Sequence, residues 1–137
     1  MPLIVRTFLK TALLYFVAAL LLNIAIALQR AGVSFPPRLD PVYIHLVTVG
    51  WISQLIIGVA VWMFPKYSKD QPRGPEWVNW TIYALLNAGL LLRVISEPAA
   101  ASGGGEVWGV LLLASALLQW CAGVLFAVTA WRRVRLR

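Results

Sequence analysis

Acidic residues, cysteine and histidine are scarce in this chain of 137 residues, which holds five Asp or Glu residues, one cysteine and one histidine. A single cysteine excludes a disulfide within the chain and a CxxC motif for metal or c-type haem attachment. Charged residues make up only 12% of the chain, whereas 61% of the residues are hydrophobic. This composition is too apolar for a soluble domain of this length and indicates an integral membrane protein.

Four apolar runs are each long enough to cross a membrane, which requires about 20 mostly apolar residues. The predicted helices cover residues 8–30, 42–65, 76–96 and 106–131. Each intervening segment contains the Pro or Gly that ends a helix, and short connections make consecutive helices antiparallel neighbours. The sequence therefore predicts an all-α integral membrane four-helix bundle that forms one transmembrane domain over residues 1–137.

The basic residues are distributed unequally between the two sides that four spans define. One side carries nine of the twelve: Arg6, Lys10, Lys66, Lys69, Arg73, Arg132, Arg133, Arg135 and Arg137. The other side carries Arg30, Arg38 and Arg93. By the positive-inside rule both termini are expected in the cytoplasm, in a multi-pass protein of the cell (inner) membrane. The net charge of +7 is then a topology signal, and the terminal "RRVRLR" an anchor to membrane lipid rather than a nucleic-acid patch.

The second predicted helix contains the only histidine, His45, and has two different faces. At 100° per residue, the residues within about 40° of His45 are Val49, Ile52, Ile56 and Met63. The opposite face carries Gly50, Gln54 and Gly58, a small-residue spacing that lets helices approach closely. A neutral imidazole among aliphatic side chains is typical of an axial ligand to b-type haem, but also of an interfacial histidine that hydrogen-bonds to water.

The string around His45 is more specific than the residue alone. "HLVTVGWISQLIIGVAVWMFP", from His45 to Pro65, resembles the second transmembrane helix of haem-copper oxidase subunit I and of the shorter subunit-I-like and NnrS-like membrane proteins. "LLNAGLLLRVISEP", from Leu85 to Pro98, looks like the Asn-x-Gly-x-x-x-Arg segment of the same group. The resemblance covers two helices and implies that His45 ligates a low-spin haem b near the outer side of the membrane.

The chain also departs from that family. A full subunit I has twelve helices, a second ligand for the low-spin haem and three histidines for copper, which one histidine cannot supply. Oxygen reduction by this chain alone is therefore not expected, and no catalytic residue is assigned. Met63 and Cys121 lie at the wrong depth for a second ligand, at about 27 Å along the second helix and about 22 Å into the fourth. We expect either an open sixth position on the iron or a homo-oligomer in which two copies of His45 share the haem.

Haem propionates need cations, and two arginines are candidates at the level of His45. Arg93 lies near the outer end of the third helix, and Arg38 shortly precedes the second. Each also has a simpler interpretation, because Arg93 can pair with Glu97 one turn away and Arg38 with Asp40. The predicted cofactor site therefore consists of five residues, with His45 as the metal ligand: His45, Arg93, Arg38, Val49 and Ile52.

The leading functional hypothesis is b-type haem binding in electron transfer, or in the binding of a diatomic gas such as NO or O2. One alternative is a haem-free interaction protein that assists assembly of a respiratory or denitrification complex. Another is a small oligomeric channel with an axis lined by Gln54, Asn87 or Gln119. No span is expected to contain Asp or Glu, which weighs against a proton-coupled transporter.

Overall fold

The computed structural model describes residues 1–33, 39–69 and 71–134. Within these ranges the chain forms four long helices and no strand. They are α1 (Leu3–Arg30), α2 (Asp40–Met63), α3 (Glu76–Ala101) and α4 (Glu106–Arg133). All four are long and apolar enough to cross a membrane, which confirms the predicted all-α class and the four spans.

Helix α3 is longer than the sequence predicts, because it continues through Pro98 to Ala101. Proline interrupts a helix interior by removing one N–H and crowding one carbonyl, but in the final turn few bonds depend on it. The helix ends beyond it, where Gly103 has a positive φ of 81° and Ser102 N donates to Pro98 O at 3.1 Å. Glu97 therefore lies inside the helix, so the expectation that no span contains an acidic residue is wrong.

Helix α2 changes its winding along its length. An α-helical segment, Asp40–His45, is followed by a π-helical segment, Leu46–Ser53, and then by a second α-helical segment, Gln54–Met63. A π-turn accommodates one more residue than an α-turn, so residues beyond it are rotated by about 100° from their α-helical positions. The faces drawn at a constant 100° per residue therefore do not extend from one end of α2 to the other.

Close approach of α1 and α2 depends on the two glycines of the predicted small-residue face. A Cβ on Gly50 would lie 2.9 Å from the side chains of Tyr15 and Leu90, and a Cβ on Gly58 would lie 2.9 Å from that of Phe8. Both glycines are buried, and Gln54 between them is fully buried. The small-residue face therefore packs inside the bundle.

Helices α2 and α3 occupy the centre of the bundle, with 39% and 33% of their most apolar stretches buried, against 17% for α1 and 11% for α4. Two hydrogen bonds join α1 to α3, one between Thr11 Oγ1 and Tyr83 Oη and one from Tyr15 Oη to Asn87 Oδ1, both at 2.9 Å. The main apolar cluster consists of Ile4, Val5, Phe8, Ile57, Val61, Val78, Ile82, Leu86 and Ala122.

One end of the bundle, which we call the Arg133 end, is closed by the last residue of α4. Arg133 is only 7% exposed and donates to three carbonyls of α2 and the residues after it: Val61, Phe64 and Pro65. These carbonyls lack helical partners because Phe64 is extended and Pro65 has no N–H. Arg133 is thus a helix-capping residue, which corrects its assignment as a lipid anchor. Arg135 and Arg137 lie outside the described residues.

The start of α1, the α2–α3 loop (residues 64–75) and the end of α4 share the Arg133 end. Ile4 and Arg73 line one cavity there, and Arg133 contacts the first residues of the loop. The opposite end of the bundle, which we call the His45 end, holds the end of α1, the start of α2 and the α3–α4 turn. The four helices are therefore antiparallel in sequence, as the short connections predict.

Candidate functional site

The imidazole of His45 is held in a defined orientation. Its Nδ1 lies 2.8 Å from Pro41 O, one turn earlier in α2, and 3.2 Å from Glu97 Oε1 on α3. A carbonyl oxygen only accepts hydrogen bonds, so Nδ1 carries the proton and donates it. In the neutral imidazole the lone pair is then on Nε2, which has no hydrogen-bond partner among the described residues. The His45 side chain is 27% exposed.

Glu97 connects His45 to Arg93. Arg93 Nη1 lies 3.2 Å from the same Oε1 atom of Glu97 that faces His45. The Glu97 and Arg93 side chains are 12% and 18% exposed, so this ion pair is largely shielded from solvent. The second carboxylate oxygen, Oε2, is buried and has no hydrogen-bond partner within residues 1–33, 39–69 and 71–134. A buried carboxylate oxygen without a partner is unusual and requires an explanation.

A polar chain continues from Arg93 into α4. Arg93 Nε donates to Ser115 Oγ at 3.2 Å, and Ser115 Oγ donates to Gly89 O at 2.7 Å. Gln119 Nε2 also donates to Ser115 Oγ, at 3.2 Å. The helices meet closely here because a Cβ on Gly89 would lie 2.9 Å from the Gln119 side chain. Hydrogen bonds thus join α3 and α4, and Glu97 extends the cluster to His45 on α2.

From this cluster toward the Arg133 end, a groove of about 490 Å³ runs between α2 and α4. Its walls are mostly apolar, and its residues are Val49, Ser53, Ile56, Ile57, Leu86, Gln119, Trp120, Gly123 and Phe126. Val49 is one helical turn from His45, and Gln119 is the last member of the polar chain. Trp120 and Ile56 are exposed on the surface of the bundle that would face the lipid of a membrane.

The structure brings together some of the predicted site residues and separates others. His45 and Arg93 meet through Glu97, and Val49 lines the adjacent groove. Ile52 is 42% exposed and is not among the groove residues, because the π-helical segment turns it away from the face of His45. Arg38 lies outside the described residues.

The remaining polar candidates of the channel alternative occupy different surroundings. Asn87 accepts from Tyr15 and donates to Tyr83 O at 2.8 Å, and Gln119 belongs to the chain around Ser115. Gln54 is fully buried, and its side chain has no hydrogen-bond partner among the described residues. Asn87 and Gln119 therefore form hydrogen bonds between or within helices.

Sequence reasoning assigned Glu97 only as a pairing partner of Arg93 and did not assign Ser115 at all. The expected apolar surroundings of His45 are wrong on the α3 side, where Glu97 faces the ring. A signal was present for Ser115, since Gly89 with Arg93 and Ser115 with Gln119 are spaced by four residues on adjacent helices. Such spacing places each pair on one helix face.

Among the described residues, His45 and Glu97 are the cluster's only side chains of the types that usually ligate metal ions. No group of three or more His, Cys, Asp or Glu side chains suited to a metal occurs among the described residues. A haem differs, since its four ring nitrogens leave only axial positions for the protein, and one correctly oriented imidazole supplies one of them.

The fold and this cluster define a class, a small polytopic helical bundle with a histidine–carboxylate–arginine cluster at one end. No family model, no curated protein and no solved structure matches the chain.

Proposed function

We propose that the chain is an integral membrane haem b protein in which Nε2 of His45 is an axial ligand of the iron. The observation that carries the proposal is the anchoring of Nδ1 by Pro41 O beside Glu97, with Nε2 left unpaired within the described residues. Histidines that bind metals typically donate their other ring N–H to a carbonyl or a carboxylate, which fixes the ring and raises the basicity of the ligand.

The surroundings of His45 fit the rest of a haem in two respects. The groove that starts at Val49 has a volume within the range of about 300–1,000 Å³ usual for ligand sites, and its walls are mostly apolar. Arg93 supplies a positive charge at the level of His45, where propionates need one. In the absence of a propionate, Arg93 forms an ion pair with Glu97. Haem binding is then expected to redistribute the Arg93–Glu97 interaction.

The chain has one histidine, so a second histidine ligand must come from another chain, for which a second copy is the simplest source. A homo-oligomer with twofold symmetry would provide two equivalent His45 side chains, and the groove between α2 and α4 leaves an apolar surface beside the site. Two axial ligands suit electron transfer with a respiratory or denitrification partner, whereas one open position suits binding of NO or O2. The distribution of basic residues favours placing the Arg133 end in the cytoplasm and His45 near the outer face of the inner membrane.

The test is an absorption spectrum of the detergent-purified protein, first oxidised and then reduced with dithionite, beside His45→Gly. A Soret band and a sharp reduced α band are expected in the wild type and not in the variant. Free imidazole added to His45→Gly should restore both bands, because it can enter the space that the side chain leaves. Arg30→Ala is the matched control, since Arg30 is exposed at the same end and pairs with Asp40 rather than with Glu97.

A wild-type protein without a Soret band after reconstitution with haemin contradicts the proposal. It then favours the haem-free assembly role, in which the groove binds another membrane helix and His45→Gly folds and binds its partner normally. If haem does bind, carbon monoxide separates the two roles, because it shifts the spectrum only where one axial position is open.

A further inference from the structure

A second cavity, of about 230 Å³, lies at the Arg133 end, far from His45 along α2. The α2–α3 loop, the start of α3 and the end of α4 form its walls. Three arginines line it, Arg73, Arg132 and Arg133, together with the amphipathic aromatic residues Tyr67 and Trp77. This combination of cations and aromatic rings occurs at helix ends, at the level where a bilayer changes from hydrocarbon to headgroups.

We propose that this cavity binds the headgroup phosphate of an acidic phospholipid. The site is independent of the haem proposal, because it shares no residue with the His45 cluster. Basic pockets between transmembrane helices are suited to anionic headgroups, and each nearby Lys or Arg contributes about 1 kcal/mol to such binding, roughly a fivefold change in affinity.

Backbone hydrogen bonds hold the residues on both sides of Arg73 in the α2–α3 loop. Tyr67 N donates to Pro72 O at 2.9 Å, and Gly74 N donates to Gln71 O at 3.0 Å. The buried side chain of Asn79, on α3, donates to the carbonyl of Arg73 itself at 3.3 Å. These bonds fix the backbone at Arg73 relative to α3, so ordering the loop would add little to the entropy lost on binding.

Neither Arg73 nor Arg133 forms an ion pair with another residue of the described ranges. The ion pairs Arg30–Asp40 and Arg93–Glu97 lie at the His45 end. Arg133 is satisfied by neutral carbonyls and therefore keeps its full charge. Glu76 shares an adjoining polar cavity with Arg73, but it is exposed and forms none of these ion pairs. An anion in the cavity would face at least two guanidinium groups.

The apolar part of the lining favours a lipid over free phosphate. Val78 and Val128 line the cavity. On the surface of the bundle, Val128 is 50% exposed and Trp77 is 68% exposed. Acyl chains of a lipid can cover these surfaces while its phosphate faces Arg73. Free phosphate could use only the charges.

The experiment uses the full chain in a neutral detergent, incubated with phosphatidylglycerol or with phosphatidylcholine of the same acyl chains. Bound lipid is counted by native mass spectrometry. We expect preferential retention of phosphatidylglycerol and about fivefold weaker retention by Arg73→Gln. Lys69→Gln is the matched control, since it removes the same charge from the same loop but Lys69 does not line the cavity. Arg73→Lys should retain most of the binding.

Three results would overturn the proposal. Equal retention of the two lipids would mean that charge does not select the ligand. Equal losses in Arg73→Gln and Lys69→Gln would mean that the whole basic surface, and not this cavity, attracts the lipid. Displacement of phosphatidylglycerol by inorganic phosphate at equal concentration would mean that the acyl chains contribute nothing. If Arg73→Gln fails to fold, the salt dependence of wild-type retention and the Arg73→Lys variant still test the role of charge.

Discussion

Arg133 and Arg93 are largely buried arginines at opposite ends of the bundle, and they are satisfied by different groups. Arg133 makes four hydrogen bonds, all to backbone carbonyls at the end of α2. Arg93 bonds to two side chains, Glu97 and Ser115, and Glu97 also faces His45. The first arginine completes a helix end, whereas the second joins side chains from three helices.

The difference separates an arginine that caps a helix from one that belongs to a cluster with unpaired atoms. At the Arg133 end, the guanidinium and the carbonyls of α2 satisfy each other, and removing either leaves buried groups without partners. At the His45 end, an imidazole nitrogen and a carboxylate oxygen remain without partners among the described residues. Unpaired polar atoms beside a groove are groups that a ligand can engage.

Arg133→Ala is expected to have the largest effect on stability. It removes the partners of three carbonyls at once, and the free energy of unfolding should fall by about 3 kcal/mol. The measurement is an SDS titration of the protein in detergent micelles, followed by far-UV circular dichroism. Arg6→Ala, an exposed arginine at the same end, is the control and should stay within about 0.5 kcal/mol of the wild type. Similar losses in both variants would mean that Arg133 contributes only charge.

Gly58→Ala tests the α1–α2 contact between the two ends. The new Cβ would lie 2.9 Å from that of Phe8, so one helix must shift, at a loss of about 2 kcal/mol. Gly109→Ala is the matched control, because this glycine lies within α4 and its Cβ would contact nothing within 4 Å. The same titration measures both. Unchanged stability in Gly58→Ala would show that the helices can separate without loss.

Glu97→Gln should have the smallest effect on stability, about 1 kcal/mol. The carboxamide keeps an oxygen that can accept from His45 Nδ1 and Arg93 Nη1, so the variant loses the charge and places an NH2 group where Oε2 has no partner. A loss as large as that of Arg133→Ala would make both ends structural clamps and remove the contrast between them. The affinity for haemin, titrated in parallel, should change more than the stability does, because the anchoring of His45 is altered.

The sequence predicts the coarse architecture well because apolar length is a strong local signal. The four spans and the buried face of Gly50, Gln54 and Gly58 follow from composition and spacing. The end of α3 does not, since Pro98 normally predicts an earlier end and only the final-turn position makes it harmless. Because the predicted helix ended at residue 96, Glu97 was expected outside the span, whereas it lies inside α3.

The site is less predictable than the fold, because it depends on contacts between helices. Nothing local to Arg133 shows that the carbonyls of Val61 and Phe64 lack partners, so an exposed anchor was the natural prediction. His45 and Arg93 could be assigned from residue type and depth. That Glu97 faces both of them follows from the way α2 and α3 meet.

Because of the π-helical segment, Leu46–Ser53, α2 contains one residue more than an α-helix of the same length. After this segment, α2 is held by the contact of Gly58 with Phe8, and before it by the contact of His45 with Glu97. Deleting one residue from this segment would restore α-helical winding, and the imidazole would keep its direction relative to Gly58, because the lost residue and the lost π-turn change the rotation by about 100° in opposite senses. A homologous sequence with a one-residue gap in this stretch would therefore keep the histidine beside its carboxylate partner while forming a regular α-helix.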